Sequence, residues 1–210
     1  MKDLFSKKKW KHFLYTLSHP TDGFYWIRHQ EEGSVAIALL WVILFSLAFS
    51  TNRAYASFVV NDVNPRSVNG LTELLGVLLL FVILCAGNWS VTCLMNGEGR
   101  FKDIVIAVGY GFAPMAVTFV LATLFSQVVA ENEAAFYSII MIIGIGYGAI
   151  LMLIGIMQVH SYTLGKTLLT LLLTVLAMFI IIFLGMLVAD LVGKVINFFK
   201  SIYTELIYRM

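Results

Sequence analysis

The chain has 210 residues, of which 60% are apolar, 12% charged and 14% aromatic, with a formal net charge of +2 and a mean hydropathy of +0.90. A soluble domain carries about 25% charged residues, and a disordered chain needs low hydrophobicity with high net charge, so both classes are excluded. The balance of charge also gives no reason to expect a nucleic-acid partner.

Residues 1–33 read as a basic and aromatic interfacial segment on the cytoplasmic side. Trp10, Phe13, Leu14 and Leu17 recur at helical spacing away from Lys8, Lys9 and Lys11. That pattern predicts a short amphipathic helix on the membrane surface, its basic face toward anionic lipid. Pro20 then supplies a turn, and Phe24, Tyr25 and Trp26 follow at interfacial depth.

Residues 34–190 hold five long apolar runs, over 34–51, 71–95, 104–129, 134–159 and 167–189. Each is near or above the roughly 20 residues that cross about 30 Å of hydrocarbon as a helix. Lipid offers backbone groups no water, so a span is a helix or a closed barrel strand, and no period of two is present. The predicted class is therefore all-α: a polytopic integral membrane protein with five transmembrane helices and short amphipathic helices at both ends. Over 191–210 the positions Val192, Val195, Ile196, Phe199, Ile202, Tyr203, Leu206 and Ile207 keep one apolar stripe. The fifth helix is expected to run on, or bend, into this amphipathic C-terminal helix. Asp190, placed just beyond spanning length, reads as interfacial.

The basic N-terminal segment sets orientation. Nine Lys and Arg fall on its side of the membrane and five on the other, which places the N-terminus in the cytoplasm and the C-terminus outside the cell membrane. The first apolar run begins late and has no cleavage pattern, so it reads as a signal anchor. Cys85 and Cys93 are eight residues apart in one helix, about 12 Å, and do not bridge. His12, His19, His29 and His160 show no metal-ligand spacing, so neither metal nor cofactor is expected.

Within the bundle, Gly144, Gly148 and Gly155 mark a face where helices approach closely. Thr163, Thr167, Thr170 and Thr174 form one hydroxyl stripe at the start of the fifth span, continued by Ala177 and Gly185. A stripe of this kind serves as helix packing or as the wall of a polar path. Pro114 predicts a kink in the third span. Glu98, Lys102, Asp103, His160 and Lys166 lie in the turns on the cytoplasmic side and form a candidate docking surface.

No HExxH, G-x-S-x-G, Walker or Rossmann pattern occurs, and no span carries paired carboxylates, so no enzymatic activity is expected. Several strings nevertheless resemble the bacterial branch of the Yip family, the Ypt/Rab-GTPase-interacting membrane proteins. They are His19-Pro20-x-x-Gly23-Phe24, Phe101-Lys102-Asp103 with Gly109-Tyr110 and Pro114, His160-x-Tyr162-x-x-x-Lys166-Thr167, and Ser201-Ile202-x-x-Glu205-x-x-Tyr208-Arg209. The resemblance implies a five-helix membrane protein with a cytoplasmic N-terminus. Eukaryotic members of the family associate with Rab GTPases through trafficking roles and carry a long hydrophilic N-terminal region with a DLxGP-like motif. Here that region is short and basic and the motif is missing, so the resemblance carries over neither a Rab-type partner nor a catalytic residue. The expectation is a scaffold, accessory subunit or membrane-organising factor that meets lipid and a membrane-protein partner or a second copy. A small transporter or channel, as a homo-oligomer, is the alternative.

Overall fold

A computed structural model describes residues 6–208. Lys2 and Arg209, counted above among the orienting charges, lie outside the described residues, as does the side chain of Leu206. All regular structure among the described residues is helical: α1 (Lys7–Ser18), α2 (Pro20–Gln30), α3 (Val35–Tyr55), α4 (Gly70–Leu94), α5 (Phe101–Ser126), α6 (Ala134–Val159) and α7 (Leu164–Tyr208). Five of them, α3 to α7, are long and apolar enough to cross a membrane.

The span boundaries follow from capping. The Ser34 hydroxyl accepts from the Ile37 N–H at 3.4 Å, and the Asn69 side chain accepts from Leu71 and Thr72 at the start of α4. These side chains satisfy amides that a helix start leaves open. Asp103, in the first turn of α5, accepts from the Arg100 N–H at 3.3 Å. Consequently α5 begins at Phe101 and takes Lys102 and Asp103 into the helix, three residues ahead of the apolar run.

The centre of the bundle is α5. In its most apolar stretch 61% of residues are buried, against 6% in α7. Small residues explain the difference, because apolar helices in lipid gain from packing only where their backbones approach. A Cβ at Gly109 would stand 2.6 Å from that of Ala38 on α3, and one at Gly148 would stand 2.5 Å from the Gly111 carbonyl. At Gly144 it would overlap Thr118, and at Gly155 it would press on Ala107 and Phe24. The face Gly144–Gly148–Gly155 thus lies directly on α5. Pro114 sits halfway along α5, thirteen residues or about 20 Å from its start, and the helix runs through it unbroken.

The first two helices form a hairpin that enters the bundle. Phe13 and Phe24 are fully buried. Phe13 stacks on Trp41 at 5.5 Å and meets the edge of Tyr110 at 4.8 Å, while Phe24 lies 6.5 Å from Tyr110. At the hairpin's inner end the Tyr147 hydroxyl donates to the Leu17 carbonyl. Tyr147 lies twelve residues, about 18 Å of helix, before the end of α6. Most of the apolar stripe is therefore covered by protein: Phe13 is fully buried and Trp10 and Leu17 pack against the core, while Leu14 stays 61% exposed. Gly23 lets α1 and α2 touch, since a Cβ there would stand 2.6 Å from the Thr16 Cα.

The last helix runs on without a bend in its hydrogen bonding. Its 45 residues extend for about 67 Å, twice the hydrocarbon thickness. Only its first third is covered, by α4. Thr167, Thr170 and Thr174 are fully buried there, whereas Thr163 is exposed and a Cβ at Gly185 would meet nothing within 4 Å. The small-residue face therefore ends before Gly185. Asp190 is exposed and pairs with Lys194 at 2.7 Å.

Candidate functional site

The residues of the candidate docking surface gather at one end of the bundle, where α2, α5 and α6 terminate, and they divide into two groups. In the first, Arg100 binds Asp103 through Nε at 2.9 Å and also binds Glu31. Lys102 binds Glu31 at 2.9 Å, and Lys9 donates to the Glu31 and Gly33 carbonyls. The cations beside Glu31 hold its carboxyl well below the usual range, at about 2. Glu31 also takes a left-handed backbone, φ 54°, which ends α2 and turns the chain into α3. One acidic residue thus ties the hairpin to the start of α5.

In the second group the buried His160 accepts from the Gly99 N–H through Nδ1 at 3.1 Å. The neutral ring then carries its proton on Nε2, which is buried and has no partner among the described residues. Burial chiefly, and then Arg28, push the imidazole pKa down to about 4, so the ring is neutral at pH 7. Tyr162 stacks on it at 5.3 Å and donates to the Met95 carbonyl. Lys166 stands 4.1 Å above the Tyr162 ring, a cation–π contact, and Ser161 donates to Glu98 at 3.1 Å.

Of the five surface candidates, Glu98 and Lys102 are exposed and Lys166 is half-buried, while Asp103 and His160 are each 1% exposed. Glu98 and Lys102 thus lie at the surface with Lys166 partly covered beside them, and Asp103 and His160 lie beneath. Sequence spacing did not single out Glu31, and Tyr162 entered only as a position of the Yip-like string. The signal for Glu31 was the pair Glu31-Glu32 placed between a basic segment and an apolar run, a position where an acid has cations on both sides.

The threonine stripe contributes contacts and no open surface. Thr167, Thr170 and Thr174 donate to the carbonyls of Thr163, Lys166 and Thr170 at 2.8–2.9 Å, the usual recourse of a hydroxyl inside a helix. Thr174 also accepts from Asn88 of α4 at 3.1 Å. Among the described residues no group of three or more His, Cys, Asp or Glu lies within metal-holding reach, and Cys85 and Cys93 are free thiols.

The five apolar helices, too long and too unbroken for any other solvent than lipid, define a multi-pass integral membrane protein. The Yip1 domain matches residues 14–186, from the first turns of the hairpin to the middle of α7, and the chain belongs to this family of non-catalytic membrane proteins. No curated protein and no solved structure matches the chain.

Proposed function

We propose that the protein is a non-enzymatic scaffold or accessory subunit that works by lateral helix association in the membrane. The observation that supports this most is α7. One stripe of it rests on α4, and its distal half continues past spanning length with Val192, Val195, Phe199 and Ile202 all exposed. These follow one another at three and four residues, the spacing of a seam that packs on another helix. Lipid covers a transmembrane stripe, but residues beyond the hydrocarbon need protein against them. The exposed Glu98 and Lys102 and the half-buried Lys166 lie at the opposite end, where charges orient a partner more than they bind it. The buried, self-bonded threonines favour packing over a solute path, which sets the transporter reading below this one. In topology the basic hairpin end is the cytoplasmic end, by the excess of Lys and Arg there.

The test is a photoreactive residue placed at Phe199 in the native membrane, with complex size read by mass. One discrete adduct that disappears in Val195→Glu/Ile202→Glu, while the protein still inserts, upholds the proposal. Diffuse or absent adducts along the whole stripe would sink it.

A further inference from the structure

We propose that the groove between α1 and α2 binds the headgroup of an anionic phospholipid. The groove has a volume of about 430 Å³ and is lined by Lys8, Lys11, His12, Tyr15, Trp26 and Glu32. Residues 8, 11, 12 and 15 fall on one stripe of α1, so the lining changes in character along the helix. Its mouth is basic and its floor aromatic. The Lys8 side chain is 77% exposed although it reaches Glu32 at 2.8 Å. Lys11 is exposed and has no ion pair among the described residues. Four residues further along, about 6 Å deeper, Tyr15 and Trp26 stand 6.3 Å apart with large faces uncovered.

Depth makes this arrangement specific. The start of α1 is fixed at the level of the charged end, where Lys9 holds the Glu31 and Gly33 carbonyls. The other end of the hairpin reaches Tyr147, midway along the span α6 and on its exposed face. Lys8 and Lys11 therefore stand at the height of lipid phosphates, and Tyr15 and Trp26 at the height of the glycerol and upper acyl chain, where amphipathic rings are favoured. His12 is fixed between Glu32 and the Gly23 carbonyl, both at 3.2 Å, and Glu32 answers one of the two lysines. One positive charge is left at the mouth for a phosphodiester to neutralise. A zwitterionic lipid brings its own cation against Lys11 and gains less. An acidic protein segment would meet the lysines but not the aromatic floor below them. The groove thus fits a lipid with one net negative charge better than either.

The experiment uses the full chain in detergent, equilibrated with equal amounts of phosphatidylglycerol and phosphatidylcholine of matched acyl chains, with retained lipid counted by native mass spectrometry. We expect one phosphatidylglycerol to be held in preference. A basic residue at an anionic lipid surface contributes about 1 kcal/mol, so Lys11→Gln should lower retention about fivefold and Lys8→Gln/Lys11→Gln more than tenfold. Trp26→Ala should weaken both lipids alike, and Lys194→Gln/Lys200→Gln on α7 should change nothing. Lys11→Gln touches no ion pair and keeps the test valid should the double variant fail to fold. Equal retention of the two lipids, unchanged retention in Lys11→Gln, or displacement of the lipid by inorganic phosphate alone would overturn the proposal.

Discussion

Helices α5 and α7 are both strongly apolar, with mean hydropathies of 2.1 and 3.0 over their best stretches, yet one lies at the centre of the molecule and the other at its edge. The more apolar helix is the less buried. In water the reverse would hold, because burial follows hydrophobicity. In lipid the solvent is as apolar as a leucine, and what decides position is whether backbones can approach. Helix α5 offers Ala107, Gly109, Gly111, Ala113 and Ala116, whereas α7 beyond Thr174 offers mainly Leu, Ile, Val and Phe.

Substitutions at the contacts around α5 should break the symmetry of hydropathy most sharply. Phe13→Ala and Tyr110→Ala each empty a fully buried ring site and should cost about 3–5 kcal/mol, while Phe183→Ala on α7, 57% exposed, should leave the melting temperature in detergent nearly unchanged. Gly148→Leu forces a side chain into the Gly111 carbonyl and Met115, and a loss of about 1–3 kcal/mol or more is expected. Gly185→Leu, facing open space, should be silent in the same melt; equal effects at the two glycines would defeat the comparison.

Acid should act next, at the end where α2, α5 and α6 meet and at the adjoining hairpin. The folded-state pKa of His160, about 4, lies below the ordinary 6.5, so the unfolded chain binds more protons between these values. Stability is then complete above about pH 6.5 and is lost as pH falls toward 4, by about 1–3 kcal/mol. His12, also lowered by burial, acts in the same direction. Thermal melts at pH 7.5 and pH 5 check the slope, and His160→Gln should flatten it. The smallest effect is expected at the α4–α7 contact. Thr174→Val removes the Asn88 hydrogen bond and should cost about 0.6 kcal/mol, the usual size of such bonds between membrane helices, read as easier proteolysis of α7 with the remaining bundle intact.

The five spans were legible in the sequence because run length against bilayer thickness is a one-dimensional quantity. The glycines of α6 were legible too, since Gly144 and Gly148 share a face by spacing alone. Phe13 and Phe24 were not, because an aromatic stripe opposite lysines has the same pattern whether lipid or protein covers it. Only the partners Tyr110 and Trp41, distant in the chain, separate the two cases. The charged end was read in half: Glu98 and His160 in the turns and Lys102 in the first turn of α5 lie where adjacent helix ends must come together, but Glu31 enters through the hairpin, whose descent no local signal announces. For α7 the stripe over 192–207 predicted a helix and left its direction open, and the uninterrupted hydrogen bonding supplies it.

The hairpin also fixes an order of events during synthesis. Leu17 waits for Tyr147, 130 residues later, so at ~5–20 residues per second this last contact of the hairpin forms roughly 6 to 26 seconds after Leu17 is made. Phe13 gains Trp41 first, and Phe13 and Phe24 then meet Tyr110; until those helices arrive the rings have lipid, the translocation machinery or a chaperone to shelter them. Closure of the hairpin is thus a late event that requires α5 and α6 to be in place. Protection of the α1–α2 turn from protease would report that assembly of the whole bundle is finished.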